Sequence, residues 1–278
     1  MSNRVPVPQM GLGTGGIFLE QAMEVFSNAL SLGYRMFDLA REYGNEHVIK
    51  ELLNNGLAKR GEIFLATKVW PTELGFEPTS KAITTSLREM GTTYIDLYML
   101  HWPRCDPSIE WMHCQDTVEV HGTWRESWRA LEKAYAEGRV MGIGVSNFDR
   151  ALLEELRAQS VVLPHAVQNH AEPGSVDKDV RSWCEAFGIL YQPYAPLRNL
   201  QFLPEHVKRA LKAVAKKHAV SIHQAALRLF IQSGAQVIPR SSSVDHQLEN
   251  LGAFSWALEE AELRALGWET SVELEVKA

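Results

Sequence analysis

The chain has 278 residues, 45% hydrophobic and 22% charged, with a formal net charge of -6. That composition supplies a core and excludes a disordered chain, and an acidic balance without blocks of like charge gives no electrostatic footprint for nucleic acid. No run of about 18 apolar residues is present to span a membrane.

The three cysteines, Cys105, Cys114 and Cys184, cannot all pair within one chain and show no CxxC spacing. A disulfide scaffold is therefore not expected, and a reducing compartment is. The opening stretch MSNRVPVPQMGLGTGG lacks the apolar segment of a secretory signal, so a cytoplasmic protein is expected.

The first apolar run, QMGLG (9–13), is followed by a helical pattern over 20–32. MFDL (36–39) leads to a helix over 45–57, IFLATKV (63–69) to one over 79–90, and IDLYMLH (95–101) to an irregular segment and then a helix over 123–137. VMGIGVS (140–146) and AVQN (166–169) precede helices over 149–158 and 177–187. ILYQPY (189–194) and QVIP (236–239) precede patterns over 204–231 and 245–266, each expected to split in two.

Glycines in SLGYR, EMGTT and AEGRV stand where left-handed helix caps are wanted. Strands separated by helices read as βα units, and eight of them in one α/β domain spanning 1–278 predict a closed (β/α)8 TIM barrel. The alternative is an open doubly wound sheet. GLGTGG does match G-x-G-x-x-G, but eight units exceed what an open sheet usually needs.

In such barrels the chemistry lies where strands end, and there Asp38, Lys68 and His101 stand, with Tyr43 in the loop after the second run. Singly, each has a plainer reading: a helix cap, a surface lysine, a hydrogen-bonded histidine and a packed aromatic. Together they can handle a proton. A tyrosine with a pKa of about 10 donates poorly until a nearby ammonium favours tyrosinate, and a carboxylate keeps that ammonium charged. Tyr43 is then a general acid, Lys68 its tuner, Asp38 the lysine's partner, and His101 a donor to a carbonyl.

The motifs GLGT, GYRMFDLAREYGNE, ATKVW, LHWP, GVSNF and IPRSSS, in that order, make nearly the whole chain resemble the aldo-keto reductases. The resemblance implies a barrel that reduces aldehydes or ketones with NADPH, and it maps the family's tetrad onto Asp38, Tyr43, Lys68 and His101. It also implies that Ser146, Asn147 and Gln168 hold the nicotinamide carboxamide and that Tyr194 stacks on the ring. Arg240 stands where the family usually has lysine, beside Ser241, and Ser242 with Asp245 matches a capping box at a phosphate-binding helix start.

His246 replaces the arginine usual against the 2′-phosphate, so a weakened NADPH preference is expected and NADH is admitted. Glu249 and Asn250 match the adenine-side pair. In VQNHAEP (167–173), Val167, His170 and Glu172 depart from the family pattern.

Phe18, Trp70, Trp102 and Trp111 are expected to form an apolar substrate cleft, with 104–122 as a lid; Trp124 and Trp128, four apart, read as packing. The short tail after LRALGW suggests an open site. A monomer binding a small carbonyl compound is the expected assembly. Two other readings remain: a catalytically silent nucleotide-binding subunit on the same barrel, and a metal-dependent hydrolase using His101, Cys105, His113 and Cys114, whose spacing fits no common zinc pattern.

Overall fold

The structure is a computed structural model that describes residues 1, 5–106, 112, 114 and 122–268. Among the described residues, seven parallel strands follow one another in chain order: β1 (Leu12–Gly13), β2 (Met36–Asp38), β3 (Phe64–Val69), β4 (Leu97–Leu100), β5 (Ile143–Ser146), β6 (Ala166–His170) and β7 (Leu190–Tyr194). The predicted eighth strand closes the ring without becoming a regular one. Val237 bridges to Met10 and Ile238 to Tyr194, while Gly11 and Gly13 donate to the carbonyls of Val237 and Pro239. Pro239 has no N–H to continue a ladder, which limits the run to these bridges.

Helices α1 (Leu19–Leu32), α2 (His47–Asn54), α3 (Phe76–Met90), α4 (Trp124–Ala136), α5 (Arg150–Gln159) and α6 (Lys178–Ala186) cover the outside. The two long patterns split as expected, into α7 (Glu205–His218) with α8 (Ile222–Gln232), and α9 (Val244–Leu251) with α10 (Glu260–Ala265). Ala219, in the left-handed conformation at φ 53, ends α7, and a capping box between Ser221 and Gln224 starts α8. At α9 the cap is Ser243, which accepts from His246 N, and not the predicted Ser242. The helix begins one residue later than the sequence match placed it.

The strands are buried on both faces, which is why they read as apolar runs. Met36, Ala66, Met99, Ala166 and Ile238 fill the interior, whereas Phe37, Leu65, Tyr98, Val145 and Val167 pack under the helices. Trp124 and Trp128 belong to this outer core, with Trp124 edge-on to Phe148 at 5.4 Å.

Cys105 and Cys114 are joined by a disulfide, contrary to the sequence expectation. Their Cα atoms lie 5.8 Å apart, a geometry that spacing rules for CxxC pairs do not address. The pairing also removes both sulfurs from the metal-site reading. His113, Trp111 and most of the expected lid lie outside the described residues.

Glu46, at the start of α2, is 1% exposed and accepts from Thr67 Oγ1 at 2.6 Å and Ser86 Oγ at 3.1 Å. Burial outweighs these bonds and the nearby Arg41, and pushes its carboxyl up to about 7. The folded state thus holds a proton that the unfolded chain releases, so stability is lost as pH rises from the ordinary carboxylate range through about 7. Glu46→Gln is expected to gain up to about 3 kcal/mol over wild type above pH 7 and nothing near pH 4. Thermal unfolding across that range tests it; a gain independent of pH would contradict the assignment.

Candidate active site

Thr14, just past β1, ties the site to the barrel: its N–H and Oγ1 both donate to Asp38 O, at 3.1 and 2.8 Å. Asn45 Nδ2 donates to Thr14 O in turn. Asp38 is therefore fixed at the end of β2, where its carboxylate meets two donors. Lys68 Nζ lies 2.7 Å from Oδ2, and Gln168 Nε2 lies 2.9 Å from Oδ1.

Lys68 is fully buried and also donates to Leu39 O at 2.9 Å. Burial lowers its pKa, and the adjacent Asp38 opposes that shift.

Tyr43 comes from a short helical turn, Arg41–Tyr43, that ends on Gly44 at φ 67. Arg41 Nε pins this turn by donating to both carboxylate oxygens of Glu73, at 2.9 and 2.7 Å. The half-buried phenol lies with its ring centroid 5.5 Å from Lys68 Nζ and edge-on to His101 at 5.7 Å. Gly15 closes over it: a Cβ there would sit 2.9 Å from Tyr43 Cζ. No side chain larger than hydrogen fits without moving the tyrosine.

The direction of the Tyr43 shift reverses the sequence expectation. Its pKa is raised, first by burial and then by the charge of Asp38. Lys68 is already matched to Asp38 at 2.7 Å, so the pair offers the phenol little net positive field. Tyr43 accordingly rests as the protonated phenol. His101 is held well below the ordinary histidine pKa by burial and by Lys68, so it is a neutral imidazole. The Trp70 ring stands against it at 4.9 Å, and His101 Nδ1 is buried without a partner.

Asn147, in the left-handed conformation at φ 61, links two parts of the rim. Its Nδ2 donates to His101 O at 2.9 Å, and its Oδ1 accepts from Tyr194 Oη at 2.8 Å. Ser146 is buried beside it, and His170 stands edge-on to Tyr194 at 5.5 Å. Arg240 is exposed and reaches back to Gly15 O at 3.4 Å, so that a Cβ on Gly16 would meet its Nη1 at 2.6 Å.

Ser241 braces the start of α9 by accepting from Ser243 N, and His246 is exposed on the first turn. Glu249 lies 3.9 Å from His223, and Asn250 is buried against Tyr34, so both also serve packing around α9.

The expected cleft is only partly assembled by its aromatic residues. Phe18 is 72% exposed at the start of α1, while Trp70 is 5% exposed and donates to Met112 O at 3.2 Å. Trp102 is half-buried beside His101 in the chain. Sequence reasoning missed Gly15, the Arg41–Glu73 clamp, and the buried glutamines Gln192 and Gln236; for the glutamines the signal was there, as polar residues inside two apolar runs.

Residues 9–267 match the aldo/keto reductase family. A glyoxal reductase of Bacillus subtilis (strain 168) is 32% identical over 264 residues, 95% of this chain and 89% of its own. A crystal structure of an aldo/keto reductase from Brucella melitensis superposes with a TM-score of 0.82 at 36% identity, covering 94% of each chain. A Bombyx mori aldo-keto reductase crystallised with NADP gives 0.83 at 27% identity, covering 94% of this chain and 88% of its own. The chain belongs to the aldo/keto reductase family. It is an oxidoreductase that reduces carbonyl compounds with NAD(P)H.

Lys68→Met leaves Asp38 buried without its cation and is expected to destabilise the fold by about 3–5 kcal/mol. The double variant Asp38→Asn/Lys68→Met is expected to recover most of that loss in chemical denaturation while remaining unable to reduce a carbonyl. Equal instability of single and double variants would show that the charge pair is not what holds this end of the barrel.

Proposed function

We propose that this reductase takes small, reactive aldehydes or dicarbonyl compounds, with Tyr43 as the general acid and His101 orienting the substrate oxygen. The observation that carries the proposal is the buried Lys68–Asp38 pair, 2.7 Å apart, beneath a protonated Tyr43 and a neutral His101. A neutral imidazole offers one N–H to a carbonyl without adding a competing charge. As Tyr43 gives up its proton, negative charge grows on the phenol, and the Lys68 ammonium, 5.5 Å from the ring centroid, attracts that charge by the margin that Asp38 leaves unmatched.

The available groups fit a nicotinamide dinucleotide. Ser146, Asn147 and Gln168 offer hydroxyl and amide groups to a carboxamide, Tyr194 offers a half-buried ring, and Arg240, Ser241 and the first turn of α9 offer charge and N–H groups to phosphate. When bound, that cofactor supplies the hydride. His246, exposed on α9, is the residue nearest in role to an arginine for a 2′-phosphate, so NADPH is the assigned cofactor with only a modest preference over NADH. Glu249 and Asn250 are assigned to the adenine side.

Phe18, Trp70, Trp102 and Trp111 are assigned to substrate, Trp70 acting through its contact with His101. A relative named glyoxal reductase supports small dicarbonyl compounds as the first class to assay. A cytoplasmic monomer is the proposed state, in which the Cys105–Cys114 pair would be held reduced; no helix among the described residues is long and apolar enough to cross a membrane.

Tyr43→Phe is expected to bind NADPH, read by fluorescence quenching, while its kcat falls at least about 100-fold, the scale of lost acid catalysis. Retained turnover would remove Tyr43 from the acid role. Because the phenol's pKa is raised, wild-type kcat for reduction should stay level from about pH 6 to about pH 9 and fall only in stronger alkali; a fall through neutral pH would point to another acid. His246→Arg should raise the NADPH-over-NADH ratio of kcat/KM at least about tenfold, the effect of one charge-assisted contact. An unchanged ratio would place the 2′-phosphate elsewhere.

A further inference from the structure

A barrel interior is ordinarily filled by branched apolar side chains. Here three glutamines from neighbouring runs lie inside it: Gln168 on β6, Gln192 on β7 and Gln236 just before the closing bridges, at 3%, 0% and 1% exposure. They form one hydrogen-bonded chain. Gln168 Nε2 donates to Gln192 Oε1 at 2.6 Å, Gln192 Nε2 donates to Gln236 Oε1, and Gln236 Nε2 donates to Pro8 O and faces Met36 Sδ.

The direction of this chain is set at both ends by groups that only accept, the Asp38 carboxylate and the Pro8 carbonyl. A backbone carbonyl only accepts, so Gln236 must turn its nitrogen to Pro8 and its oxygen to Gln192. Gln192 must then turn its nitrogen to Gln236 and its oxygen to Gln168. Gln168 is left with one arrangement: both amide hydrogens engaged, one by Gln192 and one by Asp38 Oδ1 at 2.9 Å. Its Oε1 is then the group left for a ligand, and it is an acceptor.

We propose that Gln192 and Gln236 are positioning residues of the reductase. Acting through Gln168, they set its amide so that an acceptor faces the nicotinamide carboxamide while a donor steadies Asp38 in line with Lys68. Without them Gln168 is held by the Asp38 carboxylate alone, which keeps the nitrogen toward Oδ1 but lets the amide plane swing about that bond, so its oxygen loses its aim at the carboxamide N–H. The inference rests on the assignment of Gln168 to the carboxamide.

The test compares NADPH with the reduced 3-acetylpyridine analogue, whose methyl ketone has no N–H for Gln168 to accept. The analogue's different intrinsic reactivity cancels when each variant's NADPH-to-analogue ratio of kcat/KM is divided by that of wild type. Gln168→Leu, Gln192→Leu and Gln236→Leu are each expected to lower that ratio about tenfold, the effect of one oriented hydrogen bond, through loss with NADPH alone.

A purely structural role would weaken both cofactors together and leave the ratio unchanged. If Gln168→Leu lowers the ratio and neither Gln192→Leu nor Gln236→Leu does, the positioning role is overturned and the carboxamide assignment stands. If Gln168→Leu leaves the ratio unchanged, both fall. Should Gln192→Leu fail to fold, Gln236→Leu, which touches neither Gln168 nor Asp38, decides the question.

Discussion

A lysine ammonium with no exposed surface is the constraint around which this barrel is arranged. Leaving water costs Lys68 several kcal/mol, and only a close counter-ion with further acceptors makes the charged form tolerable. Asp38 Oδ2 and Leu39 O supply these, at 2.7 and 2.9 Å. The need propagates outward. Asp38 must itself be held, which engages Thr14 from the end of β1 and Gln168 from β6. The charge pair thereby ties opposite sides of the rim together.

Above that base the two side chains proposed to act on substrate, Tyr43 and His101, sit on short, clamped segments. The turn carrying Tyr43 is fastened by Arg41 to Glu73, beyond the end of β3, and is closed over by Gly15. His101 is braced through its carbonyl by Asn147, which also holds Tyr194. Tyr43 and His101 are thus located by neighbours that follow the ends of other strands, so the arrangement depends on ring closure. The bridges of Val237 and Ile238 accomplish that closure despite Pro239.

Much of this was legible in the sequence because parallel strands buried on both faces leave unmistakable apolar runs, and because Asp38, Lys68 and His101 fall at the ends of three of them. The split of the last two long helical patterns was legible too. What could not be read were relations between segments distant in the chain. The reversed shift at Tyr43 depends first on its burial and then on the charge of Asp38, and the Cys105–Cys114 disulfide depends on the approach of two positions to a Cα separation of 5.8 Å. The local capping-box match pointed to Ser242, and the path into α9 makes Ser243 the cap instead. The glutamine chain left a local trace, polar residues in apolar runs, but its partners lie 24 and 44 positions apart.

The most direct test of the account is the charge on Lys68 itself. Protein labelled with nitrogen-15 at lysine side chains, with Lys68→Met used to assign the resonance, would report by NMR whether the buried nitrogen is an ammonium or an amine at neutral pH. With Asp38 Oδ2 at 2.7 Å from it, Lys68 is expected to be an ammonium at neutral pH. A neutral amine at that pH would contradict it, since the base on which Tyr43 and His101 are arranged would then carry no positive charge to stabilise the reaction.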